Sequence, residues 1–144
     1  MIILDTNVVS ELMRRPAEPN VVAWLDHQIE DLIWITSITI LEVRTGIELL
    51  SASRRRMSLS ADFDKFLDID INNRVITFDG KAAHATASLI AERRRRGQPG
   101  DLRDGMIAGI ALATGASLAT RNTRHFDDLA IELINPWAIN PGPA

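Results

Sequence analysis

Met1-Ile2-Ile3-Leu4-Asp5-Thr6-Asn7 opens the chain, and this stretch decides the fold. Three apolar residues run directly into an acid. A short, uninterrupted apolar run reads as a strand buried on both faces, as in the middle of a parallel sheet. A carboxylate cannot continue into the core uncompensated, so the strand is expected to end before Asp5. In open α/β sheets ligands bind beyond the carboxyl ends of the strands, which places Asp5 where chemistry is expected. The same residue suits the N-cap of a following helix, with Thr6 and Asn7 as turn residues. Whether other acids arrive at the same place decides between these roles.

The rest of the chain repeats the alternation. Val8 to Met13 predicts a short helix, stopped by Arg14-Arg15-Pro16. Asn20 is a candidate cap for a second, with Val21, Val22, Trp24 and Leu25 on its apolar side. Leu32 to Thr36 predicts a second buried strand, and Ser37 or Thr39 opens a helix running to about Leu50 with Glu42 near its start. Ser51 to Ser60 is polar and basic and reads as a turn between antiparallel helices, the second starting at Ser60. Val75 to Phe78 is the third strand, and Asp79 caps a long helix ending at Arg96 before Gly97. A helix from about Asp101 to Gly115 carries Asp104 in its first turn. Ser117 to Thr120 and Ile131 to Ile134 are the fourth and fifth strands, with a short helical turn over Phe126 to Leu129 between them. Strands alternating with helices predict an α/β protein whose parallel sheet is covered by helices on both faces.

At 144 residues the chain predicts one domain with a substantial core, spanning residues 1–138. The Pro/Gly-rich residues 139–144 are expected to be a flexible tail. There is no apolar run of membrane-spanning length and no signal-peptide layout at the start. The absence of cysteine excludes disulfides, zinc–thiolate sites and a thiol nucleophile, and suits a reducing cytoplasm. A net charge of −3 gives no general attraction to nucleic acid. The positive charge is nevertheless nearly all arginine, with Lys65 and Lys81 the only lysines. Two runs hold much of it, Arg54-Arg55-Arg56 and Arg93 to Arg96. Arginine suits bidentate phosphate contacts. The alternative is that both runs are solvated helix ends, the second favoured by the helix dipole.

Asp5 follows the first strand, Glu42 the second, and Asn122 the fourth, while Asp104 opens the helix before the fourth. Three acids and an amide could therefore meet at one edge of the sheet. Carboxylates that close repel one another unless a cation sits among them. A hard ion held through oxygen fits such a set, Mg²⁺ first and Mn²⁺ as a substitute. Its natural work is phosphoryl chemistry. Scattered acids are common in α/β proteins, so spacing alone leaves this open. His27 and His84 lie within predicted helices and read as surface or boundary residues; His125, near Asn122, is not expected to touch substrate. Trp24 and Trp34 read as core, and Trp137 as core or interface.

These residues carry a resemblance. Ile3-Leu4-Asp5-Thr6-Asn7, then Thr36 to Glu42 with Gly46 after it, then Asp104-Gly105-Met106-Ile107-Ala108, then Ala119-Thr120-Arg121-Asn122 resemble the PIN-domain proteins. Within them the chain looks most like the VapC toxins and their FitB-like branch, on Val21-Val22-Ala23-Trp24-Leu25 and Asn135-Pro136-Trp137 as well. The resemblance spans residue 1 to about 138. It implies a three-layer α/β/α sandwich with a central parallel sheet. It implies a Mg²⁺- or Mn²⁺-dependent endoribonuclease, the toxin of a type II toxin–antitoxin pair. By the family pattern Asp5, Glu42 and Asp104 are the metal-binding acids, with Asp5 and Asp104 the ligands named for the ion. Thr6 or Thr120 supplies a nearby hydroxyl. Asn122 occupies the fourth acidic position, often aspartate, and so adds an oxygen without a charge; Asp101, one turn before Asp104, is a partial compensation. Expected partners are a small cognate antitoxin, RNA, operator DNA through the antitoxin only, and a second copy of the chain. Arg54, Arg55, Arg56 and Arg121 are candidate RNA phosphate contacts, and Arg93 to Arg96 a further run. A DNA nuclease using the same site is the alternative enzyme, because the acids do not read the sugar. A non-catalytic scaffold in a repressor complex, and a phosphoacceptor domain built on Asp5, are the other classes.

Overall fold

The computed structural model describes residues 1–138; the tail expected over 139–144 lies outside the described residues. Five short strands form one parallel sheet: β1 (Ile2–Leu4), β2 (Ile33–Thr36), β3 (Val75–Ile76), β4 (Ser117–Ala119) and β5 (Leu133–Ile134). Their spatial order is β3-β2-β1-β4-β5, with every neighbouring pair parallel. Six α-helices cover the sheet: α1 (Thr6–Leu12), α2 (Pro19–Asp26), α3 (Ser37–Glu48), α4 (Arg54–Lys65), α5 (Gly80–Arg95) and α6 (Leu102–Thr114). This is the expected α/β/α sandwich.

Successive strand residues feed opposite faces. Leu4, Ile33, Ile35 and Ala119 pack with Val8, Val9, Val21, Trp24, Val43 and Phe63 of α1 to α4. Ile3 and Leu118 pack on the other face with Leu89, Ile107, Ile110 and Phe126. The opening triplet is apolar throughout because β1 sits between two such layers. From β1 the chain goes first to one side, through β2 and β3, and then to the other, through β4 and β5. The crevice between the carboxyl ends of β1 and β4 is therefore the topological switch point of the sheet.

Several boundaries differ from the sequence-based expectation. The first helix begins at Thr6, not Val8, because Asp5 caps it. In α2, Pro19 holds the first position and Glu18 the cap, so Asn20 lies inside the helix and donates its side-chain amide to the Trp137 carbonyl at 3.3 Å. Residues 54–60 are not a turn. Ser53 accepts the Arg56 N–H at 3.2 Å and starts α4 at Arg54; three cations beside the positive end of a helix hid this start. The third and fifth strands pair over two residues each, fewer than their apolar runs suggest. The turn expected over 126–129 is present, closed by the Leu129 N–H donating to the Phe126 carbonyl at 3.1 Å, and a 3₁₀ turn at Thr123–His125 that was not expected precedes it. Trp24 is core, but Trp34 is only half-buried and donates its indole N–H to the Asp31 carbonyl at 3.2 Å.

Candidate active site

Asp5 ends β1 and takes both roles open to it. Its side chain is 3% exposed. One carboxyl oxygen accepts the Thr6 N–H at 2.8 Å and caps α1. The other accepts the Thr120 hydroxyl at 2.7 Å and the Asn7 side-chain amide at 3.2 Å. Thr120, buried just past β4, accepts in turn from the Asn122 N–H at 3.1 Å. The Asn7 side-chain amide oxygen accepts the Arg121 N–H at 3.2 Å. These bonds fasten the end of β1 to the end of β4, so Asp5, Thr120, Arg121 and Asn122 keep a common frame.

Glu42 lies in the second turn of α3, and one of its oxygens accepts the Thr6 hydroxyl at 2.8 Å. A hydroxyl has one proton to give. The 3.0 Å bond between the Thr6 and Thr39 hydroxyls is therefore donated by Thr39. Arg103 stands 3.8 Å from the other Glu42 oxygen. Asp104 sits in the first turn of α6, its N–H held by the Asp101 cap at 3.2 Å. Its carboxylate meets the His125 ring at 3.0 Å.

One open cleft of about 450 Å³ is lined by Asp5, Thr6, Glu42, Asp104, Arg121 and Asn122, with Asn7, Ser10, Glu11, Arg14 and Trp137 completing the wall. The Arg121 guanidinium lies 5.1 Å from the centre of the Trp137 ring, a cation–π contact at the rim. Among the described residues no three His, Asp or Glu side chains stand close enough to form a metal cage. The donor set still suits a hard cation. Mg²⁺ is commonly held by one or two carboxylates and keeps several waters, and this cleft offers carboxylates with room for water. The electrostatics agree. Burial pushes the Asp5 carboxyl up to about 6, against the pull of the Thr120 and Thr6 hydrogen bonds, and the charges of Asp104 and Glu42 push the same way. A cation in the cleft would relieve that strain.

The shift has a sign. Between pH ~4 and ~6 folded Asp5 keeps a proton that the unfolded chain has released, so stability falls as pH rises through this window. Above pH ~6 the ionised group costs at most about 3 kcal/mol. Metal-free Asp5→Asn is therefore expected to be more stable than wild type above pH 6, by roughly 1–2 kcal/mol after the altered hydrogen bonds are counted. The gain should disappear near pH 4. Urea unfolding of both proteins in chelator from pH 4 to 8 measures it; a constant difference across that range would contradict the assignment.

The arginines divide. Arg54 is exposed. Arg55 lines a neighbouring groove of about 640 Å³ that shares Thr6, Ser10, Arg14 and Glu42 with the cleft. Arg56 pairs with Glu48 at 2.7 Å. Arg93 is only 7% exposed and is tied to Asp128, so it is no surface contact for a phosphate. Asp101 is used as the α6 cap and stands outside the cleft lining. Four participants were not singled out from the sequence. Asn7, Glu11 and Arg14 stand four and then three residues apart on α1 and its C-terminal turn, a helical face that spacing alone could have shown. Glu11 is buried and accepts from Arg14 at 3.0 Å and from the Glu18 N–H at 3.1 Å. The Asp104 contact of His125 had no local sequence signal.

Comparison with known proteins places the chain. The PIN domain family model matches residues 2–132. A plasmid stability protein StbB of Pseudomonas syringae pv. tomato is 40% identical over 95% of this chain and 99% of its own length. A VapC ribonuclease of Sinorhizobium fredii is 35% identical over 95% and 98%. The toxin FitB of Neisseria gonorrhoeae is 32% identical over 95% and 99%. Among solved structures, a chain of FitAB bound to a DNA fragment superposes with a TM-score of 0.88 at 31% identity, covering 97% of this chain and 98% of that one. By a family match along nearly its whole length, on a fold whose switch-point crevice gathers Asp5, Glu42 and Asp104, this chain belongs to the PIN-domain family, in the group of the VapC and FitB proteins.

Proposed function

We propose that this protein is a divalent-metal-dependent endoribonuclease that hydrolyses RNA phosphodiester bonds and serves as the toxin of a type II toxin–antitoxin pair. The observation that carries the reading is the cleft itself: Asp5, Glu42 and Asp104, from three separate elements, line one open cavity with Asn122 and Arg121 beside them. Relatives named ribonuclease and toxin support it. Residues 1–138 are taken as one nuclease domain acting in the cytoplasm.

Asp5 and Asp104 are the residues assigned to hold the ion, Mg²⁺ with Mn²⁺ as a substitute. When bound, such an ion polarises a phosphate oxygen and makes a nearby water acidic. Glu42, fixed by the Thr6 hydroxyl at 2.8 Å, is placed to accept a proton from water in the cleft. Thr120 keeps the Asp5 carboxylate in one orientation. Asn122 offers an amide to a water or a phosphate oxygen. Arg121 carries the positive charge that draws an RNA phosphate past three acids, and Arg54, Arg55 and Arg56 are weaker candidates for more distant phosphates. The cognate partner is a small antitoxin through which operator DNA is bound, a reading supported by the likeness to FitAB bound to a DNA fragment, and the toxin itself pairs as a dimer.

The test is cleavage of matched single-stranded RNA and DNA by purified protein. RNA should be cut with Mg²⁺ or Mn²⁺ and spared in chelator, and DNA should be spared throughout. Cleavage that persists in chelator would overturn the metal-dependent mechanism. Equal cleavage of DNA would turn the reading toward a general nuclease.

A further inference from the structure

Behind Asp104 lies a second polar cavity of about 410 Å³, and Asp104 is the one described residue that lines both it and the acidic cleft. Arg93, Asp128 and His125 also line it. Arg93 grips Asp128 at two points, Nε to one oxygen at 3.1 Å and Nη2 to the other at 3.0 Å. This planar, two-point pairing fixes both side chains. Arg96 adds a third bond to Asp128 at 2.9 Å. The Arg93 hydrogen bond, with Arg96 behind it, holds the Asp128 carboxyl down at about 2 although burial opposes this. The pair therefore stays ionised through the neutral range.

The same Arg93 Nη2 donates to the main-chain carbonyl of His125 at 2.6 Å. His125 is thus anchored through its backbone to a buried arginine, while its ring Nδ1 stands 3.0 Å from an Asp104 oxygen. A carboxylate can only accept, so Nδ1 carries the proton and donates. We propose that His125 is a positioning residue: by holding one oxygen of Asp104 it fixes the rotation of that carboxylate and leaves the other oxygen for the cation of the cleft, and the Arg93–Asp128 pair holds His125 in place. The inference rests on the metal-dependent function proposed above. It gives the buried first arginine of the second arginine run a purpose that neither phosphate binding nor a helix dipole explains. Hydrogen-bonded supports of metal ligands commonly change metal affinity 10- to 100-fold when removed.

The experiment is Mn²⁺ binding by calorimetry to the full chain, wild type against His125→Ala, His125→Phe and His125→Asn. The side chain is 55% exposed, so the variants should fold, and thermal unfolding checks that they do. His125→Ala and His125→Phe are expected to bind Mn²⁺ at least ~10-fold more weakly. His125→Asn should recover most of the affinity, because its amide nitrogen can stand where Nδ1 stood. RNA cleavage lost in the Ala variant should return as Mn²⁺ is raised. Mn²⁺ affinity unchanged in all three variants would overturn the proposal and leave the ribonuclease reading intact. So would equal weakening in the Asn variant. A fall in turnover at saturating Mn²⁺ with normal affinity would also overturn it, and would make His125 catalytic. Wild type that binds no Mn²⁺ would overturn both this proposal and the metal-dependent reading.

Discussion

Asp5→Asn should lose at least ~100-fold of RNA cleavage while folding as well as wild type or better. The Asp5 carboxylate is nearly buried, receives two side-chain hydrogen bonds and one backbone hydrogen bond, and sits at the switch point of the sheet. An asparagine keeps the shape and one acceptor oxygen but removes the charge. Without that charge the cleft loses part of its hold on a divalent ion and part of the field that ion would supply to the phosphate. Asp104→Asn should show a loss of similar size by the same argument. Single-turnover cleavage of a defined RNA at saturating Mn²⁺, beside the unfolding series described above, measures both sides. The expected pairing is lost activity with gained stability, as when a site is kept functional at a cost to the fold. Lost activity together with lost stability would point to a structural cap and nothing more. Near-normal cleavage by Asp5→Asn would remove Asp5 from the chemistry altogether.

The largest effect on stability is expected outside the cleft lining, at Gly109. In the helix pair α5 and α6 the chain passes so closely that a Cβ at Gly109 would overlap the Thr86 hydroxyl and come within 2.9 Å of the Ala82 carbonyl. Thr86 cannot simply swing away. It is buried, and its hydroxyl donates to the Ala82 carbonyl at 2.7 Å. Alanine favours a helix over glycine by about 1 kcal/mol, but overpacking a closed core commonly costs 1–3 kcal/mol and sometimes more. With the hydroxyl overlapped and unable to move, the cost lies at the top of that range, about 3 kcal/mol, so Gly109→Ala is expected to destabilise by about 2 kcal/mol net. Gly46→Ala on α3 is the control. Nothing lies within 4 Å of a Cβ there, so the change should be neutral or stabilise by up to about 1 kcal/mol. Urea unfolding of the two variants decides it. Equal stability would mean that α5 and α6 stand further apart than described.

Local signals were enough for the framework. The unbroken Ile2-Ile3-Leu4 run marks a strand covered on both faces, because only a central parallel strand buries consecutive side chains. Asp79 was legible as a cap, the start of a helix near Asp101 was legible too, and Gly97 and Gly115 were legible as helix ends, since each satisfies main-chain groups within a few residues. The acids Asp5, Glu42 and Asp104 were legible as a set through their places after strands or at a helix start, and through the family resemblance. What the sequence could not settle involves partners distant along the chain. Arg93 and Arg96 belong to one basic run, yet Arg93 is buried against Asp128, 35 positions away. Arg54, Arg55 and Arg56 are neighbours in sequence but fall on different sides of a helix that composition hid. Asn7 looked like a turn residue, and only the closing of β4 against β1 sets it between Asp5 and Arg121. His125 became a partner of Asp104 because α6 and the segment after β4 come together in space. Caps, stops and buried strands are decided by the nearest few residues; the hydrogen bonds that orient a site's side chains are decided by which strand ends the sheet brings side by side.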